Sequence, residues 1–269
     1  MEPFAPRVSW RRELLLIASI YTAYTIVRNR FGSARISSGA RTAAYRNAMR
    51  VIDIEQALRI FHELAVQQWF LGTAAISFFN VYYGAAHSLI TVGVLIWLLK
   101  TRPARFRRFR SVLLVTTALG LVGYSTFPLM PPRLLDAGGA YGSGAATAVS
   151  YPFTDTLRTG VGLWSFDSGP VDELSNQYAA MPSLHIAWAA WCAVVLFACS
   201  RRRWVRWLAI LHPIVTLLAI VSTANHYFLD AVAGLATLAL GFLVVLGYDR
   251  FREQRASINA TAAAGRVPC

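Results

Sequence analysis

Charged residues are scarce in this sequence. Asp, Glu, Lys and Arg make up 14% of its 269 residues, whereas a typical soluble domain carries about 25%. Acidic residues number 13 and Lys100 is the only lysine, so the formal net charge of +13 comes almost entirely from arginine. So few charges cannot cover the surface of a soluble domain of this length, and the composition predicts an integral membrane protein.

Cysteine is also rare. Cys192, Cys199 and Cys269 form an odd set whose spacing matches no zinc motif. Cys192 and Cys199 share one apolar run and one helix face, but lie about 10 Å apart along the axis, too far for a disulfide. We therefore expect no disulfide framework and no zinc site. The sequence also contains no internal repeat and no polar second domain.

Apolar residues are abundant, at 56% of the chain with a mean hydropathy of +0.45. A helix that crosses a bilayer needs about 20 such residues. Six runs approach this length, and the fold class we expect is an all-α integral membrane protein, a six-transmembrane helix bundle. The first run is short and relies on flanking Trp10, Tyr21 and Tyr24. The predicted spans are residues 14–27, 79–99, 111–127, 183–200, 205–222 and 226–248.

Residues 51–70 show apolar side chains at helical spacing with charges between them. This pattern predicts one extra amphipathic helix that lies at the membrane interface or caps the bundle. We divide the chain accordingly into an N-terminal span with this interfacial segment (1–70), a membrane domain (71–250) and a tail of mostly small residues (251–269), which we expect to be disordered.

Basic residues are unevenly divided between the two sides of the predicted bundle. The side with both termini carries 17 and the other side nine, which places the termini in the cytoplasm of a plasma-membrane protein and the long segment 128–182 outside. Charge beside apolar spans meets lipid head groups, whereas nucleic-acid-binding proteins carry it on a polar domain. We expect membrane lipids as partners and no nucleic acid. The bias to Arg, Ala and Gly is typical of high-GC bacteria.

Three titratable side chains collect at the outer ends of the predicted spans. His226 and Asp230 are four residues apart and so share one helix face, where the carboxylate can fix the tautomer of the imidazole and leave its other nitrogen as a nucleophile or base. His185 precedes His226 by 41 residues, the length of two spans and a tight turn. This hairpin predicts that the second imidazole lies on the same side, where it can protonate a leaving alkoxide.

Arg133 and Ser183 are candidates for binding phosphate on that side. A guanidinium binds phosphate oxygens through paired hydrogen bonds, and a helix that begins at Pro182-Ser183 offers free backbone N–H groups to an anion. Each residue also has a plainer interpretation, since Arg133 can anchor to lipid head groups and Ser183 can simply cap its helix. Together the set suits phosphoryl transfer through a phosphohistidine.

Other polar residues carry weaker signals. His87 lies in the middle of a predicted span, one turn after Tyr82 and Tyr83, and either lines a substrate cavity or is a hydrogen-bonded core histidine, the alternative we favour. Asn176 and Tyr178 precede the Pro-Ser element and either border the site or are loop residues.

These residues resemble the signatures of the type 2 phosphatidic acid phosphatase superfamily. Pro182-Ser183-Leu184-His185 is similar to its second signature, and the segment Asn225 to Asp230 to its third. Pro131-Pro132-Arg133 looks like a degenerate first signature. The likeness covers about residues 60–248 and is closer to the inositol phosphorylceramide synthase branch, an inositolphosphotransferase.

The resemblance implies a role for each residue. It makes His226 the nucleophile, Asp230 its partner and His185 the general acid. Substrate or phosphate binding falls to Arg133, Ser183, Asn225 and Tyr227, and the resemblance implies no metal and no cofactor.

The sequence departs from the phosphatase pattern at three places: Thr126 replaces a lysine, Leu134 a proline, and Ala219-Ile220 a Ser-Arg pair. Two phosphate-binding cations are therefore missing. Either other groups supply the charge, or the phosphate is a diester with less charge to neutralise, which favours transfer from a phospholipid over hydrolysis of a monoester.

Three functions remain open at this point. The first is an integral-membrane lipid phosphotransferase that moves a phospho-head group such as phosphoinositol. The second is a lipid-phosphate phosphatase, acting on phosphatidate or polyprenyl phosphate, in which water outcompetes the alcohol. The third is a non-enzymatic lipid carrier, which does not require a paired His-Asp helix face and usually shows repeat symmetry.

Overall fold

The computed structural model of this chain describes residues 38–136, 142–143, 151–158 and 177–264, with scattered helical positions between 15 and 26. The predicted first span therefore lies largely outside the described residues. The described ranges contain helices and one isolated bridge, between Leu129 and Ala179, but no strand. The all-helical prediction is confirmed for this part of the chain.

The helices follow one another along the chain with short connections, apart from the long segment that precedes the fifth. A π-helical stretch, Tyr82–Ala86, interrupts the third helix, and a 3-10 turn spans Pro132–Leu134. The helices are α1 (Ser38–Ala57), α2 (Glu63–Phe70), α3 (Ala74–Thr101), α4 (Pro103–Thr126), α5 (Leu184–Cys199), α6 (Arg203–Ser222) and α7 (Phe228–Ala264).

Four of these helices, α3, α4, α6 and α7, are long and apolar enough to cross a membrane. The apolar helix α5 has 16 residues, which makes it about 24 Å long and shorter than a hydrocarbon core of about 30 Å. The described residues are compatible with a multi-pass membrane protein, but the count of six spans is not confirmed.

Large apolar side chains cover the outside of the bundle. Leu89 on α3, Trp207 on α6 and Leu243 on α7 are 69%, 71% and 67% exposed. Such a surface is unfavourable in water and favourable against lipid tails.

Helix α5 lies at the centre and packs against α3, α4, α6 and α7. Its Trp191 is fully buried and donates from Nε1 to the carbonyl of Phe109 in α4 at 2.9 Å. At its C-terminal end, Arg105 and Arg206 donate to the free carbonyls of Ala198 and Ser200. These arginines satisfy the last turn of α5 and complement its dipole.

The prediction of a single amphipathic helix over residues 51–70 is wrong. The segment forms the end of α1 and the whole of α2, separated by a break in which Arg59 has φ 58°. Glu55 and Glu63, which the periodicity assigned to a polar face, are fully buried. Their carboxyl groups face the start of α7 rather than water, because α1 and α2 fold over that end of the bundle.

The tail is also more ordered than predicted. Helix α7 continues to Ala264, so residues 251–264 are helical rather than disordered. The division of the chain into three segments stays a prediction.

A cluster of apolar residues covers the end of the bundle where α5 and α7 begin. Val51 and Ile52 of α1 pack there against residues of the long segment and of the turn before α7. We call this the cap cluster; its other buried members are Ala44, Ala48, Leu129, Met130, Leu134, Leu135, Phe153, Tyr178, Ala180, Ala224 and Tyr227.

Candidate functional site

The turn between α6 and α7 places His226 directly before the N-terminus of α7. Ala224 has φ 52°, the left-handed conformation that commonly ends a helix. The N–H groups of Asn225 and His226 both bond the carbonyl of Ile220 at 2.9 and 3.2 Å. These bonds close the end of α6 and direct the chain straight into α7, so that His226 lies just before its first turn.

His226 and Asp230 meet as their spacing predicts. Nδ1 of His226 lies 3.2 Å from Oδ2 of Asp230, which also accepts the backbone N–H of Tyr227 at 2.9 Å. Both side chains are buried, with 3% and 0% exposure. A carboxylate on Nδ1 favours the tautomer that leaves a lone pair on Nε2.

The remaining nitrogen of His226 faces His185. Nε2 of His226 is 3.3 Å from Nδ1 of His185, the second residue of α5. The starts of the two helices are tied together by a backbone bond, from the N–H of Ser183 to the carbonyl of Asp230 at 2.9 Å. The hairpin of α5 and α6 thus brings the two imidazoles into contact.

Glycines permit this close approach. A Cβ on Gly234 of α7 would lie 2.3 Å from the carbonyl oxygen of Ser183. A Cβ on Gly123 of α4 would lie 2.4 Å from Cδ of Pro182. Neither contact is possible for a larger residue without movement, so these glycines set how near α4 and α7 come to the Pro-Ser element.

Ser183 is fully buried, and its Oγ makes no hydrogen bond within the described residues. The hydrogen bond from Ser183 to Asp230 is made by its backbone N–H and not by its hydroxyl. A buried hydroxyl without a partner is uncommon in proteins and requires an explanation. An oxygen-rich ligand at the start of α5 would supply the missing partner.

Arg133 lies beside the turn, and its guanidinium already makes three hydrogen bonds. Nε donates to Oδ1 of Asn225 at 2.9 Å, Nη1 to Oδ2 of Asp155 at 2.7 Å, and Nη2 to Oε1 of Gln177. The Arg133 and Asp155 side chains are each 11% exposed, so solvent screens this ion pair only weakly. Within the described residues, two of the five guanidinium N–H groups have no partner and could bind a ligand. Asp155 already offsets the charge of the guanidinium.

Asn225 and Tyr227, assigned to substrate binding by resemblance, have other partners. Nδ2 of Asn225 donates to Oγ1 of Thr223 at 2.8 Å, so with Arg133 on Oδ1 the amide joins the turn to the guanidinium. Tyr227 is buried in the cap cluster and its hydroxyl donates to the carbonyl of Met130 at 3.1 Å. These contacts favour an orienting role for Asn225 and a packing role for Tyr227.

Two aromatic residues of α3 complete the surroundings of His185. The ring of Tyr83 stacks on it with centroids 4.5 Å apart, and the ring of His87 lies 4.1 Å away. Sequence reasoning favoured a hydrogen-bonded core histidine over one that lines a substrate cavity; the structure places Nε2 of His87 3.0 Å from Oγ of Ser88 and its ring against the second imidazole. The π-helical stretch Tyr82–Ala86 lies immediately before it, and such stretches often occur at functional sites.

Sequence reasoning missed Asp155, Gln177 and the pair of buried glutamates. The first two lie in the long segment, where no periodicity predicts which residues turn inward. The glutamates did carry a signal, since they lie in a stretch of helical periodicity, but it was interpreted as a polar face. Of the two residues before the Pro-Ser element, Tyr178 is buried in the cap cluster and Asn176 lies outside the described residues.

No group of three His, Cys, Asp or Glu side chains in the described residues could hold a metal ion. Metal independence stays a prediction.

Comparison with known proteins identifies the family. No curated protein and no solved structure matches the chain. A family model described as the PAP2 superfamily matches residues 49–244, well over half of the sequence. This range includes both imidazoles, Asp230, Arg133 and the two buried glutamates. Members of this superfamily are generally phosphoesterases, and membership suggests phosphatase or phosphotransferase activity on lipid phosphates. The chain belongs to the PAP2 superfamily.

Proposed function

We propose that this protein is a membrane lipid phosphotransferase or phosphatase that works through a phosphohistidine on His226. The contact series Asp230–His226–His185, with separations of 3.2 and 3.3 Å, is the observation that carries the proposal. It provides a buried carboxylate, a nucleophile with a defined tautomer and a second imidazole within proton-transfer distance.

In the first step, the lone pair on Nε2 of His226 attacks phosphorus and the bond from phosphorus to the lipid or head-group oxygen breaks. His185, in its protonated form, gives its proton to the departing alkoxide. Asp230 holds Nδ1–H and stabilises the positive charge that develops on the ring, as a carboxylate does beside a catalytic histidine.

In the second step, an acceptor hydroxyl attacks the phosphohistidine, and His185, now neutral, takes its proton. The bond from phosphorus to Nε2 breaks and returns its electron pair to the ring. With a diester substrate, water as acceptor releases a phosphomonoester and an alcohol such as inositol yields a new phosphodiester. With a monoester substrate, water releases inorganic phosphate.

The charge around Arg133 supports a substrate with a singly charged phosphate. Asp155 offsets the charge of the Arg133 guanidinium, and Thr126 occupies the position of the family's lysine. A phosphodiester carries about one negative charge where a monoester carries nearly two at neutral pH. We propose transfer of a phospho-head group such as phosphoinositol as the activity, with monoester hydrolysis as the alternative.

The unpartnered hydroxyl of Ser183 and the free N–H groups at the start of α5 fit the non-bridging phosphate oxygens. Arg133 adds its two remaining N–H groups, oriented by Asn225. The arginine-rich ends of the helices lie opposite this site, and we propose a plasma-membrane protein of six spans with cytoplasmic termini and an extracytoplasmic active site.

Purified protein in liposomes tests the function. Phosphatidylinositol, phosphatidate or polyprenyl phosphate is supplied with and without a free alcohol such as inositol, and both transferred head groups and inorganic phosphate are measured. We expect head-group transfer that requires the alcohol and disappears in His226→Ala. Rapid phosphate release from a lipid monophosphate without any transfer would instead identify the phosphatase. Lipid movement that survives His226→Ala would identify a carrier.

A further inference from the structure

Two glutamates from outside the predicted membrane domain accept hydrogen bonds from the first turn of α7. Oε1 of Glu63 accepts the backbone N–H of Phe228 at 2.9 Å, and Oε1 of Glu55 accepts that of Leu229 at 2.7 Å. Glu55 comes from α1 and Glu63 from α2, and both are fully buried. They bond two of the three residues that lie between His226 and Asp230.

With Asp230, three carboxyl groups serve three successive N–H groups. The carboxyl group of Asp230 accepts the N–H of Tyr227. Glu63 accepts the N–H of Phe228, and Glu55 accepts the N–H of Leu229. The first N–H groups of a helix lack partners within it, and its N-terminus presents roughly half a positive charge. Half a charge cannot balance three buried carboxylates, so the group as a whole must hold protons.

The two glutamates also meet one another. Their Oε1 atoms accept the N–H groups of two adjacent residues, so the two carboxyl groups lie side by side, and the second oxygen of each, Oε2, is buried with no donor from the described residues. Two ionised carboxylates supply no donor, so the contact is a hydrogen bond only when one of them is protonated. Carboxyl pairs in such contact do not both ionise readily.

We propose that Glu55 and Glu63 are positioning residues that share one proton, and that the shared pair fixes the first turn of α7 so that His226 stays aligned with His185. Neither glutamate hydrogen-bonds an imidazole; they act through the backbone between His226 and Asp230. This gives α1 and α2 a function in the enzyme. The inference rests on the proposed role of His226, and the experiments below separate the two.

The electrostatic surroundings agree with a shared proton. Burial, followed by the contact with Glu63, raises the pKa of Glu55 to about 9. Burial also raises the pKa of Glu63. Among the described residues, the titratable groups that interact electrostatically with the pair are Asp230 and Tyr227, which come from α7 and the turn before it.

Glutamine mimics a protonated glutamate and separates this role from simple packing. In Glu55→Gln or Glu63→Gln, the amide oxygen still accepts the backbone N–H and the amide nitrogen donates to the remaining carboxylate. We expect each single glutamine variant to keep kcat at neutral pH within about threefold. Each alanine variant should lose about 10- to 100-fold in kcat, with little change in KM, as expected for a group that orients a reacting residue.

Two further variants sharpen the comparison. The double variant Glu55→Gln with Glu63→Gln has no carboxylate to receive the amide donor, and its kcat should fall below that of either single variant. Asp53→Ala is the matched control, since Asp53 lies on the same helix but is exposed. We expect it to behave as wild type. Single glutamine variants as impaired as the alanine variants would overturn the proposal.

The pH profile gives a readout that packing alone would not move. In the wild type, kcat should fall as pH rises through about 9, because the shared proton is lost and two carboxylates then repel. Glu55→Gln has no such proton, and the fall should be absent or shifted by at least about one pH unit. An alkaline limb identical in the two proteins would refute a shared proton.

Thermal unfolding in detergent tests the pair without any turnover. A carboxyl group whose pKa is raised by folding contributes stability below its unfolded pKa of 4.5 and loses it as pH rises to about 9. Between pH 6 and pH 9 the wild-type midpoint should therefore drop by at least roughly 3 °C more than that of Glu55→Gln. Parallel curves would contradict the inference. If wild type shows no turnover while the curves diverge, the pair stands and the proposed enzymatic function fails.

Discussion

Nε2 of His226 is 3.3 Å from Nδ1 of His185, so the nitrogen proposed to attack phosphorus is covered by the ring proposed to protonate the leaving group. Asp230 accepts Nδ1–H of His226, and the proton between the rings therefore belongs to His185. In the proposed mechanism, an incoming phosphoryl group must separate the two imidazoles. As it does so, it places the proton of His185 beside the bond that breaks.

A general-acid role for His185 predicts that its removal matters only for poor leaving groups. For a lipid substrate, whose alkoxide must be protonated, His185→Ala should lower kcat by about 10²- to 10⁴-fold. For a p-nitrophenyl phosphoester the loss should be much smaller, since that phenolate leaves without a proton. Parallel measurements of kcat on the two substrates check this.

Histidine variants at other positions complete the set. His226→Ala should abolish turnover of both substrates, while His62→Ala, at an exposed position, should change neither. If His185→Ala lowers kcat equally with both substrates, the ring only supports the fold of the site.

Gly234 sets the separation between α7 and the start of α5. In Gly234→Ala the new Cβ would meet the carbonyl oxygen of Ser183 at 2.3 Å, and we expect a loss of about 1–3 kcal/mol in stability through overpacking. Because Ser183 also bonds the backbone of Asp230, kcat should fall as well. Activity assays and denaturant unfolding in detergent measure the two effects.

The same substitution at Gly247 is the matched control. Gly247 also lies in α7, but a Cβ there meets nothing within 4 Å. Gly247→Ala should keep wild-type activity and gain up to about 1 kcal/mol from better helix propensity. Identical behaviour of the two variants would mean that the close approach of α7 and α5 has no role in the site.

The meeting of His185, His226 and Asp230 could be predicted from sequence because each step rests on a simple rule. An i, i+4 pair shares a helix face, and two helices joined by a tight turn return the chain to the side from which it started. Both rules depend on spacing within one continuous stretch, from Ser183 to Asp230.

The rest depended on contacts between distant segments, which spacing does not reveal. Asp155 reaches Arg133 from an irregular segment with no period. The break after α1 occurs at Arg59, with no Gly or Pro to mark it. Glu55 and Glu63 were expected to face water because buried carboxyl groups are rare, and only the backbone donors of α7 make their burial favourable.

We expect Asp155 to limit how much of the Arg133 charge is available to a substrate. Asp155→Asn keeps an oxygen for Nη1 but removes the competing charge from a pair in which each side chain is 11% exposed. If Arg133 binds the phosphate, KM for an anionic lipid should fall by roughly two- to tenfold with little change in kcat. Arg133→Ala should raise KM, and the steady-state kinetics of both variants check the pair. A higher KM in both variants would make Arg133 a structural anchor of the long segment.

The proposed orientation can be tested with a membrane-impermeant maleimide on intact cells. Cys192 and Cys199 are buried, so a background with Cys269→Ser gives little labelling. In that background Pro152→Cys, exposed near the candidate site, should label from outside, whereas Glu253→Cys, exposed beyond the arginine-rich ends, should label only after lysis. The opposite pattern would invert the topology.

The central claim is that a phosphoryl group is carried on His226, and trapping that intermediate tests it most directly. Wild-type protein is mixed with a phosphate-labelled lipid in the absence of an acceptor alcohol, quenched in base within the first turnover, and digested for mass spectrometry. We predict a phosphorylated peptide that contains His226, with a phosphate that is stable in base, labile in acid and released when the alcohol is added. Turnover at the wild-type rate with no phosphate on His226, or a phosphopeptide that persists in His226→Ala, would contradict the account.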